Sequence, residues 1–339
     1  MIKKVEMLFE FKETIPRSPQ SSADQYAQAC SNDKTTVNAW REKWIANVTA
    51  NKKRFGMFKD HGLGKLFGIN EHRPAICVGS GPSLKDNIEE LKNAKAAGIL
   101  VISCLHNYQA MVDAGVDVDY YVSLDAGEVV VEEISEGGKK THDEYVESTK
   151  GSHLLAFIGS SPKLFDNWKG KITLFNCPVP DQAYRDAASA LEPFFTYVST
   201  GGNVLGAAVY IAKAIFRSGA IIFVGANFSF SYTRGFHAWD SKYDANIGQC
   251  IRCIDVWGNS VLTWQSYYNF KIWFDWVCEN VPGVYINCTE GGLLGSYPEG
   301  NIAAIRQMRL KDCLWMYTMG EQMRKQCEAP EIDDGKVLF

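Results

Sequence analysis

A glycine-rich turn between residues 79 and 83 has the composition of a phosphate-binding loop. The apolar run from Ala75 to Val78 indicates a buried strand, and the acidic and amide residues from Asp86 onward suit the first turn of a helix. Between them, Gly79 and Gly81 permit positive φ angles and a close approach to the backbone. N–H groups at the start of that helix would face an anion. The candidate phosphate-binding residues of this loop are Gly79, Ser80, Gly81, Pro82 and Ser83.

This loop does not match either of the two common nucleotide-binding motifs. It lacks the Lys-Ser or Lys-Thr pair of a Walker motif, and Lys85 stands where a dinucleotide-binding fingerprint has its third glycine. A tight turn between a core strand and a helix would have the same composition. The loop alone therefore leaves phosphate binding and a purely structural role open.

A second turn of small residues begins at residue 199 and precedes another helix and strand. Val204 to Phe216 has apolar residues at helical spacing, and Ala220 to Gly225 has the pattern of a buried strand. Ligands of open α/β sheets bind at loops after the carboxyl ends of strands, so these two loops would hold opposite ends of one nucleotide. An ordinary helix N-cap is the alternative. The candidate binding residues of this turn are Ser199, Thr200, Gly201, Gly202 and Asn203.

Strands and helices alternate from Arg73 onward, which predicts the sheet that brings these loops together. The predicted strands are 75–78, 99–104, 120–124, 154–158, 171–175, 220–224 and, as the last strand, 284–287, with helices at 87–97 and 108–114. This rhythm is typical of a Rossmann-like, doubly wound, mostly parallel α/β sheet. Residues 128–151 are predicted to form an excursion over the strand ends, and residues 255–261 a small hairpin.

Helical additions are expected on both sides of this sheet. Residues 1–72 are predicted to be an N-terminal extension and helix, 73–300 a Rossmann-like nucleotide-binding domain, and 301–339 a C-terminal helix and tail. Within the extension, residues 12–35 have the composition of an irregular connection. The residues that follow on one helical face are Val37, Trp40, Trp44 and Val48. The terminal amphipathic helix is predicted over 302–326.

Composition and charge exclude several classes of protein. Of the 339 residues, 46% are hydrophobic and 12% aromatic, which indicates a globular chain with a sizeable core. A net charge of -4 argues against a nucleic-acid-binding surface. The longest apolar stretch, Ala207 to Phe230, contains Lys213 and Arg217, so no membrane span is expected. Glu6 and Glu10 interrupt the apolar N-terminus, which argues against a signal peptide and for a cytoplasmic protein.

Ten cysteines, several of them in predicted strands, indicate buried free thiols in a reducing compartment. Cys250 and Cys253 form a C-x-x-C pair without a second pair or histidines at ligand spacing. This pair is therefore expected to be structural rather than a zinc site.

Five segments between Arg73 and Gly295 share their order and spacing with a known family. They are 78–84, 122–125, 200–203, 224–227 and 287–292. In addition, the sequence Asp255-Val256-Trp257-Gly258-Asn259 is similar to the family's aspartate-aromatic-glycine-asparagine hairpin. The chain thus resembles the family of motility accessory factors and 6-hydroxymethylpterin diphosphokinase MptE-like proteins, whose core is shared with bacterial sialyltransferases.

The resemblance implies a transferase, and the family contains two kinds. Motility accessory factors resemble glycosyltransferases that move a nonulosonic acid of sialic or pseudaminic type from a CMP donor to a hydroxyl of flagellin. Other members resemble ATP- and magnesium-dependent pterin pyrophosphokinases. The expected ligand is a nucleotide-type small molecule in either case, and the transferase would also take a protein or glycan acceptor. A noncatalytic nucleotide- or sugar-binding protein is the third alternative.

For glycosyl transfer, no cofactor beyond the CMP-sugar donor is expected, and a hydroxyl acceptor needs a general base. His237 is the best placed by its loop position, and imidazole titrates near the working pH. A structurally bonded loop histidine is the alternative, and His106 is a rival near a predicted strand end. The side chains expected to line the substrate are Asp125, Asn107, Asn227 and Glu290.

Two of these carboxylates have alternative roles. In the pyrophosphokinase, Asp125 at the end of the strand over 120–124 would bind Mg²⁺ that bridges the phosphates of ATP. In the glycosyltransferase, Asp125 would bond a ribose or cap a turn. Glu290 would either orient a substrate hydroxyl or accept backbone N–H bonds in a turn.

Overall fold

The computed structural model describes residues 22–56, 61–189, 196–230, 235–238 and 250–327 of the chain. Ten strands lie in these ranges: β1 (Pro74–Val78), β2 (Leu100–Cys104), β3 (Tyr120–Ser123), β4 (His153–Phe157), β5 (Lys171–Phe175), β6 (Ala220–Val224), β7 (Ile251–Ile254), β8 (Ser260–Thr263), β9 (Val284–Asn287) and β10 (Ile305–Gln307). Eight of them form one parallel sheet in the order β10-β9-β6-β1-β2-β3-β4-β5. The predicted doubly wound α/β fold is confirmed.

Helices flank this sheet and connect its strands. They are α1 (Ser22–Phe55), α2 (Leu84–Leu91), α3 (Tyr108–Ala114), α4 (His142–Ser148), α5 (Pro162–Asn167), α6 (Gln182–Ala188), α7 (Val204–Tyr210), α8 (Gln265–Asn280) and α9 (Leu310–Cys327). A π-helical turn, Ile211–Ile215, extends α7. Helices lie in the other connections between parallel neighbours, whereas β9 and β10 are joined by residues 288–304 without a helix.

The chain reverses its direction of travel across the sheet between β5 and β6. Strands β1 to β5 follow one another outward, and β6 then returns to pair with the free side of β1. The loops after β1 and β6 therefore leave adjacent strand ends in opposite directions and open a crevice between them. The central strands are buried along nearly their whole length because helices cover the sheet, which explains their continuous apolar sequences.

Two asparagines attach the long helix α1 to the loops at the carboxyl edge of the sheet. Asn47 Nδ2 donates to the carbonyls of Ala126 (3.1 Å) and Gly159 (2.9 Å). Asn51, which is fully buried, donates from its Nδ2 to the carbonyls of Ile158 (2.7 Å) and Ser160 (2.9 Å). The two asparagine side chains of α1 thus provide hydrogen bonds to backbone carbonyls that lie beyond the ends of the strands.

The N-terminal helix begins earlier than the sequence pattern indicates. The irregular connection predicted over 12–35 is wrong from Ser22 onward, where α1 starts, and residues 12–21 lie outside the described ranges. Alanine and glutamine in this stretch favour helix even though polar residues hide the apolar periodicity. Of the predicted apolar face, Val48 is fully buried, whereas Trp40 keeps 37% of its surface exposed.

The segment 128–151 is helical and partly buried rather than a loose excursion. It contains a 3₁₀ segment, Glu128–Ile134, and the helix α4. Ile134 and Tyr145 are fully buried in the main core, and the Tyr145 hydroxyl donates to Asp113 Oδ2 (2.6 Å). This anchoring fixes the position of Glu133, which becomes important below.

The C-terminal region differs from the prediction in one strand. Strand β9 is not the last, because β10 follows it, and the helix predicted from residue 302 begins at Leu310. A strand of three residues in which only Ile305 is buried leaves no period-two signal. The predicted hairpin does form, between β7 and β8, and Asp255 Oδ1 accepts the N–H groups of Trp257 (2.9 Å) and Asn259 (2.7 Å) in its turn.

The cysteines whose side chains are described are free thiols, and Cys250 and Cys253 are buried beside the β7–β8 hairpin. Within the described ranges, no three His, Cys, Asp or Glu side chains are grouped to hold one metal ion. No helix of the described chain is long and apolar enough to cross a lipid bilayer.

A buried ion pair on α8 ties this helix to the loop after β9. Lys271 Nζ lies 2.7 Å from Asp275 Oδ2 and donates to the Ser296 carbonyl at 2.7 Å, and both side chains are at most 1% exposed. Asp275 Oδ1 accepts the Gly295 N–H at 2.9 Å. Burial raises the pKa of the Asp275 carboxyl, and Lys271 opposes that rise. Each charged side chain is thus stabilised in the protein interior by its opposite charge rather than by water.

We expect Asn51→Ala to lower the free energy of unfolding by about 2–3 kcal/mol, because two buried carbonyls lose their donor. Urea titration monitored by circular dichroism measures this change. Asn38→Ala, at an exposed position of the same helix, is the control and should change stability by less than about 0.5 kcal/mol. Equal effects of the two variants would show that Asn51 does not attach α1.

We expect Lys271→Met to lower the free energy of unfolding by about 3–5 kcal/mol, since it leaves Asp275 buried without its counter-charge. Lys311→Met, at an exposed position of α9, removes the same charge without that cost. The same urea titration compares both variants. A loss below about 1 kcal/mol for Lys271→Met would contradict the assigned role of the pair.

Candidate functional site

A cavity of about 280 Å³ lies at the carboxyl edge of the sheet, where the loops after β1 and β6 diverge. Its polar side is formed by residues 79–81, 104–106, 125 and 225–229. The first residues of α7 and two aromatic residues of α8 form the other side. Strand ends at such a reversal of connectivity are where open α/β sheets bind their ligands.

The loops after β1 and β6 touch through their backbones. Gly79 N–H donates to the Val224 carbonyl (2.8 Å), and Gly81 N–H donates to the Gly225 carbonyl (2.8 Å). A Cβ on Gly81 would lie 2.3 Å from Asn227 Oδ1, and a Cβ on Gly225, which has a φ of +66°, would lie 2.4 Å from the Gly79 carbonyl oxygen. The glycines are therefore required by the packing of the two loops against each other.

Asn227 links the same two loops through its side chain. Its Oδ1 accepts from the N–H (3.2 Å) and the hydroxyl (2.8 Å) of Ser83, the residue that precedes α2. Asn227 lines the cavity as predicted, whereas Ser83 and Pro82 are buried behind the loop and are not part of the described cavity wall. Ser83 thus serves to fix the loop rather than to face a ligand.

The second glycine turn reaches the cavity through Asn203. Asn203 Oδ1 accepts the Gly206 N–H (2.9 Å) and caps α7, while its Nδ2 is buried with no partner among the described residues. A Cβ on Gly201 would lie 2.3 Å from the Trp273 ring, so this part of the turn packs on α8. Among the described residues, the cavity wall includes Asn203 but not the residues 199–202 that precede it.

Two histidines face each other across the polar side of the cavity. The ring centroids of His106 and His237 are 4.6 Å apart, and His106 Nδ1 lies 3.9 Å from Glu133 Oε1. The segment that holds His237 is fixed to the glycine-rich loop, because the Ala238 N–H donates to the Ser80 carbonyl (3.0 Å). The arrangement combines two groups able to exchange protons with a carboxylate that stabilises a positively charged ring.

Asp125 follows β3 and lies beside this pair. Its burial, and secondly the negative charge of Glu133, raise the pKa of its carboxyl to about 6, against an opposing effect of His106. Asp125 is thus able to change protonation near neutral pH. Burial raises the pKa of the neighbouring Cys104 thiol to about 12, so this cysteine is not a thiolate nucleophile.

Aromatic rings form another part of the cavity wall. Tyr267 and Phe270 contribute from α8, and Phe236 from the segment that holds His237. The Phe236 ring lies 3.8 Å from the Trp264 ring, centroid to centroid, which fixes its orientation. Such a wall suits a planar base or the apolar face of a sugar.

Two predicted substrate residues hold the backbone instead. Asn107 is fully buried behind the loop, and its Nδ2 donates to the Gly79 carbonyl (3.3 Å) and to the Ser103 hydroxyl (3.2 Å). Glu290, with a φ of +59°, accepts the Leu310 N–H (3.0 Å) at the start of α9. Of the two roles considered for Glu290, the geometry matches acceptance of a backbone N–H.

The sequence analysis did not identify Glu133 or the aromatic wall. Glu133 lies in an acidic stretch in which no local pattern distinguishes it from Glu128, Glu132 or Glu136. Tyr267 and Phe270 lie in an aromatic-rich stretch whose composition is equally typical of core packing. Their spacing of three residues on a helix was the available signal, since it places them on one face of α8.

The charge of the cavity wall is unusual for a phosphate site. Its described residues include two carboxylates, Asp125 and Glu133, and two imidazoles, but no lysine or arginine. A highly charged phosphate chain would therefore need a metal ion to offset its repulsion by these carboxylates.

Comparison with solved structures found a similar fold in a MAf glycosyltransferase from Magnetospirillum magneticum AMB-1. The two chains align with a TM-score of 0.51 and 16% identity over 78% of this chain and 41% of the other. At this identity the likeness concerns the fold, and this chain spans about two fifths of the length of that protein.

Comparison with curated protein sequences found no match. The family model described as 6-hydroxymethylpterin diphosphokinase MptE-like matches residues 44–233, a range that includes the phosphate-loop segment, both cavity loops after β1 and β6, and Glu133. Because this match extends over more than half of the sequence, the chain belongs to the 6-hydroxymethylpterin diphosphokinase MptE-like family.

Proposed function

We propose that this chain is a glycosyltransferase that moves a nonulosonic acid from a CMP donor to a hydroxyl of a protein or glycan acceptor. The observation that carries the proposal is the pair of His106 and His237 beside Glu133 in the cavity at the sheet reversal. The fold likeness to a MAf glycosyltransferase supports it. No cofactor beyond the donor is part of the proposed reaction.

The reaction needs one proton acceptor at the attacking hydroxyl. The hydroxyl oxygen forms a bond to the anomeric carbon of the donor, the bond from that carbon to the phosphate oxygen breaks, and its electron pair leaves with CMP. His237 takes the hydroxyl proton as general base. His106 lies beside His237, with ring centroids 4.6 Å apart, and its Nδ1 lies 3.9 Å from Glu133 Oε1, so the three side chains would surround the attacking hydroxyl in the proposed reaction.

The electrostatics of the cavity support a CMP-sugar over a nucleoside triphosphate. A CMP-nonulosonate carries about two negative charges, one on its phosphodiester and one on its carboxylate, whereas ATP brings about four to a wall without described lysine or arginine. Asp125, with a pKa of about 6, would be protonated in part near neutral pH and could then donate a hydrogen bond to ribose or phosphate. The aromatic wall would bind the base or the sugar.

A second candidate is the ATP- and magnesium-dependent pyrophosphokinase. The observation in its favour is that two carboxylates, Asp125 and Glu133, line the same cavity. Mg²⁺ in phosphoryl-transfer sites is commonly held by one or two carboxylates together with substrate phosphates. These two side chains would hold the ion, which would offset the charge of ATP. A noncatalytic binding protein is the remaining candidate.

Thermal unfolding with CMP, CDP, ATP, GTP and UDP, each with magnesium or with EDTA, separates these candidates. We expect CMP to raise Tm by about 5 °C at a hundred times its Kd, with or without metal, because a ligand of the folded state stabilises it. Stabilisation by ATP in magnesium alone, lost in Asp125→Asn, would instead favour the pyrophosphokinase. An unchanged Tm with every nucleotide would contradict both enzyme proposals.

We expect His237→Asn to lower the turnover of a CMP-nonulosonate about 10²- to 10⁴-fold while the Kd for CMP stays within about twofold, since a general base acts in the chemical step. Release of CMP from CMP-sialic acid with a serine-containing peptide measures turnover. His72→Asn, exposed before β1 at the opposite edge of the sheet, is the control. Retention of at least half the turnover by His237→Asn would remove His237 from the mechanism.

A further inference from the structure

The N–H groups of the glycine-rich loop are mostly used within the protein. The N–H of Gly79 and that of Gly81 bind the loop after β6, the Ser83 N–H binds Asn227, and the Leu84 N–H binds the Gly81 carbonyl. Pro82 has no N–H. In the described part of the chain, the Ser80 N–H is therefore the one donor between residues 79 and 84 without a protein partner, and Ser80 lines the cavity.

The peptide group that carries this N–H is held by Asn107. In a trans peptide the carbonyl and the N–H point in opposite directions. The Gly79 carbonyl is turned toward Asn107 Nδ2 (3.3 Å), and Asn107 is fully buried and is not among the described residues of the cavity wall. The Ser80 N–H of the same peptide consequently points away from the Asn107 amide, and Ser80 itself lines the cavity.

The peptide on the other side of Ser80 is held as well. Its carbonyl accepts the Ala238 N–H (3.0 Å), and the following N–H, of Gly81, donates to Gly225. Asn107 is itself fixed, because its Nδ2 also donates to the fully buried Ser103 hydroxyl (3.2 Å). Hydrogen bonds within the protein thus fix the orientation of both peptide groups that flank Ser80. This fixed orientation lowers the entropic cost of binding an anion there.

We propose that the Ser80 N–H binds a phosphate oxygen of the nucleotide and that Asn107 is the positioning residue that directs it into the cavity. The assignment rests on the proposed function insofar as a nucleotide occupies this cavity. Asn203, whose Nδ2 is buried without a partner among the described residues, lines the same cavity. Asn107 acts through the Gly79–Ser80 peptide and does not touch the ligand.

The test compares each nucleoside with its monophosphate in wild type and Asn107→Ala. The pairs are cytidine with CMP, uridine with UMP, adenosine with AMP and guanosine with GMP, measured by isothermal titration calorimetry. The ratio of nucleoside Kd to monophosphate Kd isolates the phosphate contribution. We expect a ratio of about 10 to 100 in wild type, and a ratio at least about tenfold lower in Asn107→Ala, because hydrogen bonds to charged groups are worth this much.

Asn70→Ala is the matched control. Asn70 is also buried, and its Nδ2 donates to the Pro74 carbonyl (3.0 Å) and the Ser218 hydroxyl (2.9 Å) at the amino end of β1. Both variants lose buried hydrogen bonds and stability, but Asn70→Ala should keep the wild-type ratio. An equal ratio in Asn107→Ala and wild type would overturn the proposal, as would a wild type that binds every monophosphate no better than its nucleoside.

A second measurement covers the case in which Asn107→Ala does not fold. In wild-type protein labelled with ¹⁵N-serine, the Ser80 amide is assigned by its absence from the spectrum of Ser80→Ala. A bound monophosphate should move the Ser80 amide proton downfield, and an unmoved signal at saturation would overturn the proposal. A shift with AMP or GMP but not with CMP would support the phosphate assignment and contradict the CMP donor, so the two proposals fail separately.

Discussion

The contact between the backbones of the β1 and β6 loops is the constraint on which the rest of the site depends. Because β6 pairs with β1 only after the chain has built β2 to β5, this contact joins residues about 145 positions apart. It leaves no room for side chains at Gly79, Gly81 or Gly225. The fold thus accounts for the glycines of the loop without reference to a ligand. Under the proposal above, the backbone N–H of this loop that remains to bind an anion is that of Ser80.

The chemistry of the cavity follows from placing groups of opposite character on its two sides. Carboxylates and imidazoles come from the strand-end loops, while the aromatic rings come from α8 and the Phe236 segment. Proton transfer is favoured in groups that titrate near neutral pH. Burial and the nearby negative charge of Glu133 give the Asp125 carboxyl such a pKa, about 6. In the proposed reaction, the second set would bind the base or the sugar, because it has few polar groups to satisfy.

Local sequence patterns were sufficient to predict the bounds of elements that are buried on both faces or clearly amphipathic. Strand β5 and helix α3 have the predicted bounds, since their apolar residues mark them without reference to the rest of the chain. The edge strand β10 and the start of α1 lack such marks. In the site, Gly79 and His237 were visible as residue types, but the partners of Asn107 and Glu290 are backbone groups distant in sequence. No local pattern specifies such partners.

The hydrogen bond from Ala238 to the Ser80 carbonyl has a consequence for the order of events in the proposed reaction. Under the proposals above, Ser80 would have two functions, because the peptide next to its proposed anion-binding N–H also holds the segment that carries His237. A phosphate that immobilised Ser80 would also order the His237 segment through this hydrogen bond. By thermodynamic reciprocity, an ordered His237 segment would in turn raise the affinity for the phosphate. Donor binding would then help to position the base for the acceptor.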